Sequence, residues 1–418
     1  MDKLEGMYLK TTLPQGLKDP MPGDIRAWVL TLIRTDLNQS ASPGYPLCVR
    51  YQRNSDVPPD VWQDVADVVV LRLALLHRLS DGDLDLAAID LSQFLVAVGA
   101  ADPVRMFVKN EPHAARKLDK KAYRLISSVS VADQLVSRIL NGRLNEWEIE
   151  NFTKIPSQPG MGLEDEDLCR MVEWLAVGRG PLPDNATGRA AMKWLSSGPG
   201  LVSTDISGFD WNVTLWQLRD EAHLRCRLYG LLRADKAWSL IHGRTTALAH
   251  AVFVLSDGTM FAQAVPGLQK SGDYTTSSAN SRIMTYTLVL SGATRAWTMG
   301  DDAVSVDTDE ATLRHYLDVK EFQKSTECLT FCSHKVGVGF HDGYLEPEYT
   351  FLGWRKAAYR LLSTCPLLQT GDEQGQLVLQ FEHCMRFMPA ERSDVLLRLR
   401  PHVKASTQEY IDRILDDD

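Results

Sequence analysis

The chain has 418 residues, 44% hydrophobic and 24% charged, with 45 Lys and Arg against 54 Asp and Glu and a net charge of -9. That length supports a large buried core in two or three lobes, and the composition is that of a soluble globular protein. The acidic balance excludes a protein that coats nucleic acid indiscriminately, since phosphate binding needs a local excess of Lys and Arg. The longest apolar stretches, 68–76 and 248–255, fall short of the roughly 18–20 residues that span a bilayer. The start Met1-Asp2-Lys3-Leu4-Glu5 does not read as a secretory signal, and seven cysteines without a repeated spacing describe no disulfide framework. A cytosolic protein with reduced thiols is expected.

In chain order, apolar residues recur at helical spacing over 25–37, 61–79 and 130–147, so the first half is expected to be mainly helical with loops. Between these segments, 105–124 concentrates seven basic residues, Arg105, Lys109, Arg116, Lys117, Lys120, Lys121 and Arg124, against Glu111 and Asp119. By composition alone this is a solvated charged face. From Gly200 to Asp205 a short apolar run ends in a carboxylate, which suits a buried strand. A helix-rich stretch follows over 216–241, and the segments flanking Asp257-Gly258 read as a hairpin. A helix is expected from just after Gly272 to about Leu290. Two short strands, 295–299 and 303–306, then flank Gly300-Asp301-Asp302. The chain is again helical beyond Tyr359, and mixed α+β is the natural class.

Asp205 at a strand end and Asp301 at the tip of a strand–turn–strand are placed as two-metal nucleotidyl transfer requires. Hard divalent cations take carboxylate oxygens, and two such ions would activate a hydroxyl and stabilise a leaving pyrophosphate. Either motif alone is also ordinary turn chemistry. Between them, Thr276 and Asn280 are four apart and share a helix face. With Asp210 they could read a ribose 2′-hydroxyl, which separates RNA precursors from DNA precursors. A plain helix start at Ser271 or Asp273 is the alternative.

These segments, in this order, resemble the right-hand RNA polymerases of positive-strand RNA viruses, nearest to the sobemovirus and polerovirus group. Asp205-Ile206-Ser207-Gly208-Phe209-Asp210-Trp211 is similar to motif A, Ser271 to Asn280 to motif B, and Met299-Gly300-Asp301-Asp302 to motif C. The resemblance implies that Asp205, Asp301 and Asp302 are catalytic and hold two Mg2+ or Mn2+ ions. It also implies that Asp210, Ser271, Gly272, Thr276 and Asn280 bind the nucleotide. The segments 107–113 and 123–134 resemble motif F, which turns the basic cluster into a triphosphate clamp of Lys109 and Arg124 with Arg116 and Lys117. Ser42-Pro43-Gly44-Tyr45-Pro46 is similar to motif G, which implies template binding by Ser42, Gly44, Tyr45 and Pro46; read alone it is a Pro-Gly turn. Tyr316 to Lys320 resembles motif D, with Lys320, or Lys324, as general acid, or as an exposed helix lysine. Phe331-Cys332-Ser333-His334 resembles motif E, which implies primer support by Phe331, Cys332 and Ser333.

The implied fold is a right hand whose fingers close on the thumb as a ring. Fingers would come from 1–200, and the palm from 201–344, with a fingers insertion at about 215–263 and an antiparallel sheet packed on helices. A helical thumb would span 345–418. The implied partners are single-stranded RNA template, nascent RNA and ribonucleoside triphosphates, with a viral protein primer, an RNA primer or none left open. The implied setting is the host cytoplasm, with partners mediating any membrane association. A reverse transcriptase shares the palm carboxylates, but a 2′-hydroxyl reader argues against it. A catalytically silent RNA-binding or scaffold protein would have no use for the acidic set.

Overall fold

The computed structural model describes residues 1–14, 17, 22–80, 90–111, 118–119, 121, 123–163, 165–176, 200–324, 329–341 and 344–417. Two compact units are present. The first is Met1–Met161, Asp205–Ala303 and Asp309–Lys320; the second is Gly162–Thr204, Val304–Thr308 and Glu321–Asp418.

The helices expected near the start are Pro22–Thr35 and Pro59–Ser80, and a third, Val131–Glu150, begins where the Ser130 hydroxyl accepts from the Asp133 amide. A cap of this kind satisfies one of the amides that a helix start leaves orphaned. The basic stretch contains β1 (Val104–Val108) and, after it, β2 (Leu125–Ser128), so this half is less purely helical than its periodicity implies. Both strands are short, with Arg105 interrupting β1 and two serines ending β2, so neither shows an extended apolar pattern.

The apolar run is β3 (Leu201–Ile206), buried at every position but Asp205. The helix-rich stretch resolves into Leu215–Leu228 and Lys236–Ala249, and the former starts with a reciprocal capping box between Thr214 and Gln217. The hairpin around Asp257-Gly258 is β4 (Val252–Val254) and β5 (Met260–Ala262), antiparallel. A four-stranded sheet has the order β2-β1-β4-β5, its β1–β4 pair parallel. After the helix Thr276–Leu290 come β6 (Arg295–Met299), β7 (Asp302–Val306) and β8 (Val319–Lys324), giving the sheet order β6-β7-β3-β8. Lys320 therefore stands on a strand and not on a helix, with its side chain exposed.

In the first unit, one fully buried residue joins three helices. Arg282, on Thr276–Leu290, reaches Glu148 on Val131–Glu150 and Glu221 on Leu215–Leu228, the latter at 2.6 and 2.8 Å. Arg225 also pairs with Glu221. Burial opposes the Arg282 charge, yet Glu148 and Glu221 more than offset it and hold the guanidinium above its ordinary pKa. Burial keeps Glu148 above the usual carboxylate range even so.

The second unit contains β9 (Leu329–Phe331), β10 (His334–His341) and β11 (Tyr344–Phe351) in the order β11-β10-β9, both pairs antiparallel. Helical structure begins at Trp354, after β11, with Trp354–Thr364, Gly371–Cys384, Pro389–Leu399 and Ala405–Asp417. These four enclose a core that includes Leu361, Val378, Phe381, Leu396 and Ile411. Among the described residues Cys48, Cys226, Cys365 and Cys384 are free thiols, and no helix of the described residues is long and apolar enough to cross a membrane.

Removing one member of a buried ion network strands its partners. Arg282→Leu is expected to lower the unfolding free energy by about 3–5 kcal/mol in urea titrations. A loss below about 1 kcal/mol would mean that the three helices are held by apolar packing alone.

Candidate active site

Asp205, on β3, and Asp301, in the β6–β7 turn, belong to the sheet of order β6-β7-β3-β8 and are near enough for the charge of the first to act on the second. The β6–β7 connection is two residues long, and Gly300 takes φ +64° there, a conformation that costs a side-chain-bearing residue energy but not glycine. Asp301 follows at the open tip. Its pKa is raised, chiefly because the surrounding protein thins the water around its carboxylate, and then because of the Asp205 charge; Arg124 acts in the opposite sense. A carboxylate whose charge is opposed by burial and by a neighbouring carboxylate is a site that a hard cation would relieve. Among the described residues no group of three or more His, Cys, Asp or Glu side chains converges on one point, so Asp302, the first residue of β7, does not complete a trio with them. Lys320 on β8 forms an ion pair with Asp205 Oδ2, placing an ammonium on the carboxylate. Lys324 lies at the end of the same strand.

The helix Thr276–Leu290 supplies the next layer. Asn280 Nδ2 donates to Asp210 Oδ1 at 2.8 Å, and Asn280 Oδ1 is buried with no hydrogen-bond partner among the described residues. Asp210 is half-buried; burial raises its pKa most, the Asn280 hydrogen bond lowers it, and the Asp301 and Arg124 charges act in opposite directions. Thr276 is occupied otherwise: its hydroxyl faces the Lys270 carbonyl at 2.7 Å and the Asp273 carbonyl at 2.9 Å. Two of the three expected ribose readers therefore touch, and the third braces the helix start.

Ser281, which sequence reasoning missed, lies one residue beyond Asn280. Its hydroxyl donates to the Ser277 carbonyl at 2.8 Å and accepts from the Gly300 amide at 2.9 Å, while its carbonyl accepts from Thr298 Oγ1 at 2.9 Å. One helix thus grips the Asp210 side chain at one residue and the Asp301-bearing turn at the next. The only signal in the sequence was a hydroxyl beside Asn280.

Ser271 and Gly272 are joined to β2. Ser271 Oγ accepts from the Ser127 amide at 3.1 Å, and the Gly272 amide donates to the Ser127 carbonyl at 3.0 Å. A Cβ at Gly272 would lie 2.4 Å from that carbonyl oxygen, so the approach excludes any larger residue without a backbone shift. Asp273 is held by Arg244, Ser137 and Thr275, which anchors the loop to the helix Val131–Glu150.

Lys109 and Arg124 are side by side, the Lys109 amide donating to the Arg124 carbonyl at 2.8 Å. Glu111, largely buried, bridges their exposed cationic groups at 3.2 and 3.3 Å. Arg116 and Lys117 lie outside the described residues. The segment Ser42-Pro43-Gly44-Tyr45-Pro46 lies against the start of the helix Val131–Glu150, the Pro43 carbonyl accepting from the Val131 amide; its Tyr45–Pro46 bond is cis. A cavity of about 430 Å³ adjoins Ser42, Phe107, Ser128, Gly272 and Tyr274, bringing the three loop regions to one hollow. Phe331, Cys332 and Ser333 belong to the second unit: Phe331 is buried, and Cys332 and Ser333 form a left-handed hairpin tip at φ +46° and +61°.

The family described as viral RNA-directed RNA-polymerase matches residues 27–337. The chain belongs to this family. It is 36% identical over 331 residues to the replicase polyprotein P2AB of Southern bean mosaic virus, covering 78% of this chain and 32% of the relative. It is 42% identical over 242 residues to protein P2-P3 of Poinsettia latent virus, covering 57% of this chain and 21% of the relative. Protein P1-P2 of Turnip yellows virus is 42% identical over 246 residues, which cover 57% of this chain and 22% of that protein. The chain thus spans between about a fifth and a third of the curated relatives it matches. The right-hand polymerase fold follows from the family, and the resemblance to the sobemovirus and polerovirus group stands.

The electrostatic coupling in this viral polymerase-family chain is directly measurable. Asp205→Asn is expected to lower the titration midpoint of Asp301, followed by carboxyl-carbon NMR over a pH series. An unmoved midpoint would show that the two groups do not sense each other.

Proposed function

We propose that this chain is an RNA-directed RNA polymerase that replicates a viral positive-strand RNA genome, extending RNA by one ribonucleotide and releasing pyrophosphate in each cycle. The observation that carries the reading is the placement of Asp205, on β3, close enough to Asp301, in the β6–β7 turn, for its charge to act on that carboxylate. Family membership supplies the chemical context. Divalent cations held by Asp205 and Asp301, with Asp302 beside them, would supply charge neutralisation at the triphosphate and acidify the attacking hydroxyl.

The protein's own side chains have separate duties in this reading. Lys109 and Arg124 orient the triphosphate, Arg as a fork and Lys as a point charge, and Arg116 and Lys117 extend that basic surface. Arg124 suits the duty because its charge already acts on both Asp210 and Asp301. Asp210 and Asn280 bind the ribose 2′-hydroxyl, with the unpartnered Asn280 Oδ1 available to accept from it. Lys320, released from Asp205, donates a proton to the departing pyrophosphate. The hollow beside Ser42, Gly272 and Tyr274 admits the template strand, and Gly44, Tyr45 and Pro46 guide it from the adjoining loop, where Tyr45 and Pro46 line a second hollow. Phe331, Cys332 and Ser333 support the nascent strand, and closure of fingers on thumb as a ring belongs to the same proposal. The work is carried out in the host cytoplasm, with membrane association, where it occurs, provided by partners.

Purified protein incubated with a short RNA, labelled nucleotides and Mg2+ or Mn2+ is expected to incorporate label. Asp205→Ala and Asp301→Ala should each remove incorporation while leaving circular dichroism and thermal unfolding close to wild type. Retained incorporation in either folded variant would remove the carboxylate assignment.

A further inference from the structure

Between β5 and the helix Thr276–Leu290 the chain forms a strap, residues 263–270, that is neither helix nor strand apart from a single bridge between Gly267 and Thr214. Its backbone takes left-handed φ twice in succession, +132° at Gly267 and +57° at Leu268, the second unusual for a residue with a bulky side chain. The strap's amides reach outward. Those of Gln263 and Gly267 donate to the Ala251 and Ala249 carbonyls at 2.9 and 3.0 Å, and those of Leu268 and Gln269 donate to the Val213 and Asp210 carbonyls at 2.7 and 2.8 Å.

The strap's acceptors turn inward onto one atom. Lys270 Nζ donates to Gln263 Oε1 at 2.8 Å, the Gly267 carbonyl at 2.9 Å and the Leu268 carbonyl at 3.0 Å. An ammonium has three donors, and all three are used. The side chain is 1% exposed, and the face of Phe253 lies 5.7 Å from Nζ, a further favourable site for a cation. Burial, then the Arg244 charge, pushes its pKa down to about 7, with Asp273 opposing. A core position filled at such electrostatic cost calls for a reason that an apolar residue could not supply.

The reason lies in what the strap holds. Its Gln269 amide bonds the Asp210 backbone, its Gln269 Nε2 donates to Thr276 Oγ1 at 3.3 Å, and that same hydroxyl donates to the Lys270 carbonyl. The strap is therefore the link between the turn that carries Asp210 and the helix that carries Asn280. We propose that Lys270 is a positioning residue for sugar selection, its ammonium fixing the strap so that Asp210 stays in register with Asn280. This rests on the reading of Asp210 and Asn280 as the 2′-hydroxyl reader.

The test is the ratio of kcat/KM for UTP to that for dTTP on a poly(A) template. Asn280→Ala should collapse the ratio, and Lys270→Met should lower it by about tenfold, since a small misplacement of a site group suffices for a loss of that size. Gln263→Leu removes one of the three acceptors and is expected to lower the ratio less, in the same direction. It carries the test if Lys270→Met does not accumulate as folded protein. A residue that only packs would scale both nucleotides equally. If Asn280→Ala relaxes selection while Lys270→Met and Gln263→Leu, or Gln263→Leu alone where the methionine variant does not fold, keep the wild-type ratio, Lys270 has no positioning role. If Asn280→Ala itself leaves the ratio unchanged, the sugar-reading assignment falls and this inference falls with it.

Discussion

A single guanidinium without access to water sets the frame for the rest. Arg282 is wedged among Glu148, Glu221 and, through Glu221, Arg225, and each of these groups would be costly in a core without the others. Apolar side chains could fill the same space. What they would not provide is direction: a planar fork meeting two carboxylates fixes the rotation of three helices about their own axes, whereas greasy surfaces tolerate small slips. Apolar packing provides the bulk of cohesion and this network provides alignment.

Alignment matters because of what flanks Arg282 on its helix. Residues 280, 281 and 282 are consecutive, and successive helix residues point about 100° apart. Asn280 faces Asp210, Ser281 faces the Gly300 turn, and Arg282 faces the interior. Three different neighbours are thus referred to one short length of backbone. A rotation of the helix would disturb the Asp210–Asn280 pair and the acidic turn together, which is why a core ion network and these polar contacts belong to the same structural problem.

Much of the frame was legible in the sequence because local rules and tertiary demands agreed. The long helices had unbroken periodicity, β3 was an apolar run, and the Gly300 and Gly258 turns had the residues such turns need. The basic segment was read as charge, and its strands β1 and β2 escaped notice because four- and five-residue strands studded with Arg and Ser have little periodicity to display. The strand β8 was hidden for a similar reason: Val319 to Lys324 alternates poorly and is mostly exposed. At the candidate site, Asp205, Asp210, Asn280 and Asp301 stand out in the sequence by their own chemistry, whereas Ser281, Lys270 and Glu111 do not. Their roles depend on partners between two and nearly 20 positions away in sequence, or on backbone carbonyls, and neither kind of relation leaves a mark in residue spacing.

Glu111 illustrates what such a relation entails. Because its carboxylate already bridges Lys109 and Arg124, an incoming polyanion meets a trade of partners, not two bare charges. The net gain per contact is smaller than for unpaired cations, yet the two side chains are held near each other beforehand, so less freedom is lost when the visitor arrives. Affinity is surrendered in favour of reversibility, a sensible arrangement wherever a tenant must be replaced at every turn of a cycle.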